Sequence, residues 1–395
     1  MAAEPTQTQR TIMFVPFPAQ GHVTPMLRLA HTLVNHANIS VTVAVPDFIH
    51  RRMGQHSVPG VTLVSIPTGV HDDGGEEPPG PPAFMHAMEH HMPAQLEAML
   101  LRAEQGTGLP RVSCMVIDLL ASWAIPVAAR RGLPVFGFWV GMVATYRTIM
   151  VIPELMEKGL ISESGGDSDL YDRPHGHEIL PIGPLLFNDD PKMSSAMWQA
   201  DQTCIDWLDK QSVGSVIYVS FGSWAAPIEP EKIRGFAQGL EASGRPFLWA
   251  LKNTPSWRAG LPDRYIEKVA GRGKIVSWAP QDDILRHQAV GCFMMHCGWN
   301  SVLETVRQGV RMICYPISSD HFINCAYIVN MWEVGVLLVS SDQSNVKDCI
   351  GRVMEGEEGR HLQQRVNKLR ENITVGDALR VAKTNLNLFM ERIKY

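Results

Sequence analysis

Between Trp278 and His321 the chain gathers side chains that together suit a ligand made of a flat base, a ribose, two phosphates and a sugar. Trp278 follows an apolar run and offers a face for stacking, with backbone groups of Ala279 at the base edge. Gln281 supplies an amide for a ribose hydroxyl. His296-Cys297-Gly298-Trp299-Asn300-Ser301 reads as a turn from a strand into a helix. Unpaired N–H groups and the positive dipole end at such a turn can hold a diphosphate. Gly298 allows close backbone approach, and His296, Asn300 and Ser301 add donors. A cradle of this kind also stabilises charge growing on a departing diphosphate. Ser301-Val302-Leu303-Glu304 has a second meaning as a capping box, in which Glu304 only closes the helix start.

A second constellation lies far upstream. The run Thr11–Phe17 ends in Pro18-Ala19-Gln20-Gly21-His22, a turn leading into a helix. A neutral imidazole there can take a proton from a hydroxyl. Asp118 closes another strand at its carboxyl end, and parallel strands would bring it to His22, fixing the tautomer and stabilising the imidazolium. No metal is expected: there is no acidic DxD cluster, and Cys292 is the only other thiol close to His296-Cys297, at the wrong spacing for four zinc ligands. His86 and His90, with His91 beside them, read as a polar helix face or pocket rim rather than metal ligands. Met85, Met88 and Met92 either line an apolar pocket or fill core.

The elements that must position these groups alternate short apolar runs with helical-period segments, the pattern of parallel βαβ units. Thr11–Phe17, Ile39–Val45, Val61–Ile66, Val112–Asp118 and Pro134–Phe138 read as strands. Val23–Asn35, Phe84–Ala103 and Met142–Lys158 read as helices. A polar, Gly/Asp/Ser-rich stretch follows Ile161, and the apolar run Ile179–Gly183 comes after it. Past the linker-like Phe187–Ala196 a second series begins. Its strands are Ser215–Ser220, Phe247–Lys252, Gly273–Ser277, Gly291–Met295 and Met312–Tyr315. Its helices are Pro230–Ser243, Ser301–Arg307 and Phe322–Glu333, with Val381–Ile393 at the end. The expected fold is α/β, two doubly wound Rossmann-like domains facing across a cleft, with ligands at the carboxyl ends of the strands.

The 395 residues allow two domains of ordinary size, with 45% hydrophobic and 19% charged residues. A net charge of −5 argues against nucleic acid or an anionic membrane as the main partner. Seven cysteines, an odd and sparse set, fit a reducing compartment better than a disulfide framework. No apolar run reaches a membrane span, and Met1–Arg10 lacks a signal-peptide core, so a cytoplasmic protein is expected. A nicotinamide-type dehydrogenase would need GxGxxG after the first strand, and Phe17-Pro18-Ala19-Gln20-Gly21-His22 is not that turn.

The segment Trp278–His321 resembles the donor-binding box of plant secondary-product glycosyltransferases, and the similarity extends over nearly the whole chain. The resemblance implies a GT-B fold and a UDP-sugar co-substrate, with no other cofactor. It also implies a small lipophilic acceptor with a hydroxyl, and inversion at the anomeric carbon. It makes His22 the base and Asp118 its partner. It puts uracil on Trp278, ribose hydroxyls on Glu304, a phosphate on Ser223 and sugar hydroxyls on Asp320. Relatives using UDP-glucose usually end the box with Gln, whereas this chain has His321, as some galactose-using relatives do. Arg311 stands where Pro is usual and reads as loop tuning; Tyr315 replaces Trp and keeps an aromatic wall. The implied organisation is an acceptor domain over 1–187, a linker over 188–196, a donor domain over 197–380 and a C-terminal helix over 381–395 packing back on the first domain. A monomer is expected. Relatives are generally several tens of residues longer, and the first domain is shortened after about residue 163. A catalytically weak UDP-sugar-binding protein is therefore the alternative reading.

Overall fold

The alternation of apolar runs and amphipathic segments resolves into two parallel sheets in a computed structural model. It describes residues 10–36, 39–53, 58–72, 74, 79–159, 178–183, 185, 200–223 and 228–394. The first sheet contains β1 (Arg10–Val15), β2 (Ile39–Pro46), β3 (Val61–Ile66), β4 (Val112–Asp118) and β5 (Val135–Phe138), in the order β3-β2-β1-β4-β5. The second contains β6 (Val216–Ser220), β7 (Phe247–Ala250), β8 (Gly273–Val276), β9 (Val290–Met295), β10 (Arg311–Cys314) and β11 (Gly335–Leu337). Their order is β11-β10-β9-β6-β7-β8.

Successive side chains of a strand point to opposite faces, and here both faces are covered. In β6, Ile217 and Val219 join a core with Ile233, Phe236 and Leu240, while Val216 and Tyr218 join the opposite core with Ile284 and Val302. That double burial is why these strands read as unbroken apolar runs.

In each sheet the strand order reverses once, between β1 and β4 and between β6 and β9. The parallel registers Val15↔Ile117 and Ser220↔Met295 bring the loops after these strands level with each other. A crevice opens at such a reversal because the two following crossovers leave to opposite sides. Both groups of candidate residues stand at one of these reversals.

Some local expectations change. Phe84–Ala103 is two helices, Pro81–His90 and Met92–Glu104, broken at His91 just before Pro93. Phe84, Met88 and Met92 are core residues, and Met85 is exposed. Residues 178–183 form no strand, so β5 bounds its sheet among the described residues. The shortened stretch after residue 163 and the linker 188–196 lie outside the described residues. The short strand β11 was not anticipated, and the polar, helix-rich end of the chain contains the helices Gln343–Met354 and Gly356–Thr374. The last helix, Asp377–Arg392, packs on the first sheet's core through Phe389, whose ring meets Phe136 edge-on at 5.4 Å. All seven cysteines are free and buried. No described helix is long and apolar enough to cross a membrane.

Candidate functional site

His22 begins its helix, Gln20–His36, directly after the turn that follows β1. Asp118 is the last residue of β4. Although 96 positions apart in sequence, the two side chains meet, with His22 Nδ1 2.7 Å from Asp118 Oδ2. Asp118 is buried, and its other oxygen accepts the Leu120 N–H at 2.9 Å. Both carboxylate oxygens are thus engaged, and the ring of His22 is fixed with Nε2 turned away from the acid. Phe17 flanks the imidazole, the ring centroids 5.1 Å apart.

Across the cleft, β9 delivers His296 into the turn before the helix Trp299–Gln308. Gly298 is the helix N-cap and offers no side-chain cap, so the first N–H groups face the crevice. The His296 imidazole lies between two glycines. A Cβ on Gly222 would fall 2.8 Å from its Nε2, and one on Gly298 only 2.4 Å away. Cys297 takes the left-handed conformation at φ 68°, unusual for a non-glycine and common at functional turns. Ser223 follows Gly222 at the end of the β6 loop and is half-buried.

Burial pushes the His296 pKa down to about 3, with neighbouring His321 adding to the shift and a hydrogen bond to the Ser220 backbone opposing it. The imidazole is therefore neutral at every pH near physiological. An unfolded His296 takes up a proton below about 6.5, whereas the folded one does not until about 3. Its contribution to stability is thus present above the upper value and lost progressively as pH falls between the two. The expected result is a His296 ring resonance that stays in its neutral position throughout that window. A titration near 6.5 by NMR would contradict it.

Gln281 opens the helix Gln281–Arg286 after β8 and ties one wall of the crevice together. Its Nε2 donates to Ser301 Oγ at 3.0 Å and to Glu304 Oε2 at 2.8 Å, and its Oε1 accepts from Tyr218 at 3.3 Å. Glu304 Oε1 accepts from Arg28 of the first helix at 2.9 Å, in a pair whose side chains are 16% and 13% exposed. Asn300 Nδ2 donates to the Gly21 carbonyl at 2.6 Å. These last two contacts join the helix bearing His22 to the helix that heads the cradle. Trp278, half-buried just after β8, and buried Ala279 complete that wall.

At the far end, Asp320 and His321 start the helix His321–Ala326. His321 Nδ1 accepts the Ser318 N–H at 3.2 Å, so the neutral ring carries its proton on Nε2. The His321 ring stands perpendicular to His296 at 4.8 Å, and burial holds its pKa below the ordinary value.

Comparison with known proteins settles the family. The chain is 35% identical to UDP-glycosyltransferase 82A1 of Arabidopsis thaliana, across 97% of this chain and 98% of that one. The chain belongs to the UDP-glycosyltransferase family. A family profile described as UDP-glucoronosyl and UDP-glucosyl transferase matches residues 195–365. DIMBOA UDP-glucosyltransferase BX8 of Zea mays is 32% identical over 91% of this chain and 93% of its own. Among solved structures, Os79 from O. sativa in complex with UDP superposes with a TM-score of 0.82 at 23% identity, covering 97% of this chain and all of that one. That superposition shows the GT-B fold. The alignment with the Arabidopsis relative runs over 468 positions against 395 residues here, so the relative carries segments this chain lacks. Nothing in these relatives favours the reading as a catalytically weak binder.

Within this UDP-glycosyltransferase several local expectations are corrected. The capping-box reading of Glu304 fails because the helix begins at Trp299, placing Ser301 inside it and Glu304 on Arg28 and Gln281. The Trp299 indole turns to Trp332, with ring centroids 6.4 Å apart. Tyr315 packs edge-on against Phe236 at 5.1 Å and remains half-buried. Arg311 does not tune a site loop. It starts β10 at the opposite end of the sheet, and its guanidinium donates to the Gly291 and Val353 carbonyls at 3.1 and 2.7 Å. Cys292 is not the thiol that neighbours Cys297: the described residues bring Cys314 and Cys325 to it instead.

Two residues escaped sequence reasoning. Arg28, on the first helix, reaches Glu304 across the cleft at 2.9 Å. Asn324, fully buried, donates to Asp320 Oδ2 at 2.8 Å and to the Cys297 carbonyl at 3.0 Å, bracing both that acid and the left-handed turn. The spacing from Asp320 to Asn324, one helical turn, was the only available signal.

Proposed function

We propose that this protein transfers a hexose from a UDP-sugar to a hydroxyl of a small lipophilic acceptor, inverting the anomeric centre. It acts as a cytoplasmic monomer and transfers the sugar without a metal ion on the phosphates. The reading rests on one observation: the His22–Asp118 pair is tied to the diphosphate cradle through the 2.6 Å contact between Asn300 and Gly21. His22 Nε2 accepts the proton of the acceptor hydroxyl while Asp118 stabilises the imidazolium through Nδ1. The acceptor oxygen forms a bond to the anomeric carbon as the bond to UDP breaks, its electron pair passing to the β-phosphate oxygen. Helix N–H groups at Trp299, Asn300 and Ser301, with Ser223 and neutral His296, take up that charge. Trp278 and Ala279 hold the base, Gln281 and Glu304 the ribose. Asp320 and the Nε2–H of His321 meet the sugar hydroxyls, and Tyr315 flanks them.

The lipophilic acceptor is supported by a cavity of about 1200 Å³ beside the Asp118 loop, lined in part by Leu119, Leu120, Phe138, Trp139 and Tyr146. The related (R)-mandelonitrile beta-glucosyltransferase of Prunus dulcis is named for a small acceptor. Incubation with UDP-glucose or UDP-galactose and a panel of phenols and aliphatic alcohols, read by mass spectrometry, tests the proposal. A hexose mass gain is expected, and the productive donor assigns the sugar that Asp320 and His321 accept. UDP binding without turnover of either donor would overturn it.

A further inference from the structure

Three thiols that are scattered in sequence converge behind the diphosphate cradle. Cys297 lies in the left-handed turn after β9, Cys314 ends β10, and Cys325 belongs to the helix His321–Ala326. Their sulfur atoms all lie within 4.8 Å of one another, and all three residues are buried. This is the one grouping of three or more metal-ligand side chains among the described residues. Each sulfur comes from a separate element of the packed core, and Asn324 pins the turn bearing one of them by its hydrogen bond to the Cys297 carbonyl. The donor set is thus held by the fold without any ion.

Its chemistry is selective. Sulfur donors favour soft cations, and the group contains no carboxylate or imidazole that would attract a hard one. Structural zinc is almost always tetrahedral with four ligands, and only three are assembled. A closed, water-poor, three-sulfur seat instead matches a soft d10 monovalent ion that is content with trigonal coordination. We propose that Cys297, Cys314 and Cys325 form a binding site for Cu(I). Binding releases thiol protons to solvent and changes no oxidation state. Because Cys297 sits between His296 and Gly298, an ion held there also fixes the backbone of the cradle.

The experiment uses the full chain, reduced and free of oxygen, titrated with Cu(I) bound to a chromophoric chelator. No UDP-sugar or acceptor is present, so the outcome is independent of the proposed reaction. One equivalent of Cu(I) should leave the chelate, with a near-ultraviolet sulfur-to-copper charge-transfer band and an X-ray absorption spectrum of three sulfur neighbours. Cys325→Ser and Cys314→Ala should each weaken binding by more than about tenfold. Cys349→Ser, outside the group, should leave it unchanged. Circular dichroism verifies that the variants are folded, and the absorption spectrum of the wild type stands if they are not. Failure to withdraw copper, equal uptake by a folded Cys325→Ser protein, or coordination by anything other than three sulfurs would overturn the site.

Discussion

Replacing His22 with alanine should lower kcat by about three orders of magnitude, within the 10²–10⁴ range typical of a positioned general base. Affinity for UDP should stay nearly constant, because His22 contacts the acid and Phe17 rather than the cradle. Asp118→Asn makes the sharper test. Asp118 accepts twice, from His22 Nδ1 and from the Leu120 N–H. An asparagine has one acceptor and one donor to face those two partners. If its oxygen serves Leu120, its amide N–H forces His22 Nδ1 to accept, and the proton moves to Nε2, where it blocks the base. If its oxygen serves His22, two N–H groups collide at Leu120. Either arrangement should reduce kcat by about a hundredfold or more while UDP affinity holds. Initial rates at saturating donor, with calorimetric UDP titration, separate the two quantities. A His22→Ala protein retaining a tenth of wild-type turnover would remove the imidazole from the mechanism.

Glu304→Ala should act on the other half of the site. Its carboxylate accepts from Arg28 on one oxygen and from Gln281 on the other, within a pair largely withdrawn from solvent. Hydrogen bonds to a charged group contribute roughly 1.5–3 kcal/mol each, so losing the ribose contacts should raise KM for the UDP-sugar by about a hundredfold. The effect on kcat should be smaller, because ribose binding is similar in the ground and transition states. The melting temperature should fall as well, since the Arg28 contact ties the two helices across the cleft. Glu304→Gln, which keeps the shape and one acceptor, should recover part of both losses. If KM for the donor is unchanged in Glu304→Ala, the carboxylate serves only as an interdomain tie.

The sequence alone determined the parts of this protein that are local. Apolar runs bounded by turns located β1, β4, β6 and β9, because strands buried on both faces have no polar side to confuse the pattern. Parallel sheets carry every following loop to the same end, so the residues after those strands had to share a crevice. The contiguous box from Trp278 to His321 could be read for the same reason. What spacing along a chain does not encode is which distant side chains fill the same few ångströms. The reach of Arg28 to Glu304 across 276 positions, the turn of Trp299 toward Trp332, and the bracing by Asn324 all depend on how helices pack. Arg311 illustrates the limit from the other direction. Its position in the box suggested a loop, but strand direction carried it to the far end of the sheet, where backbone carbonyls needed a donor. The convergence of Cys297, Cys314 and Cys325 is of this kind too, since it exists only once β9, β10 and the following helix are stacked together.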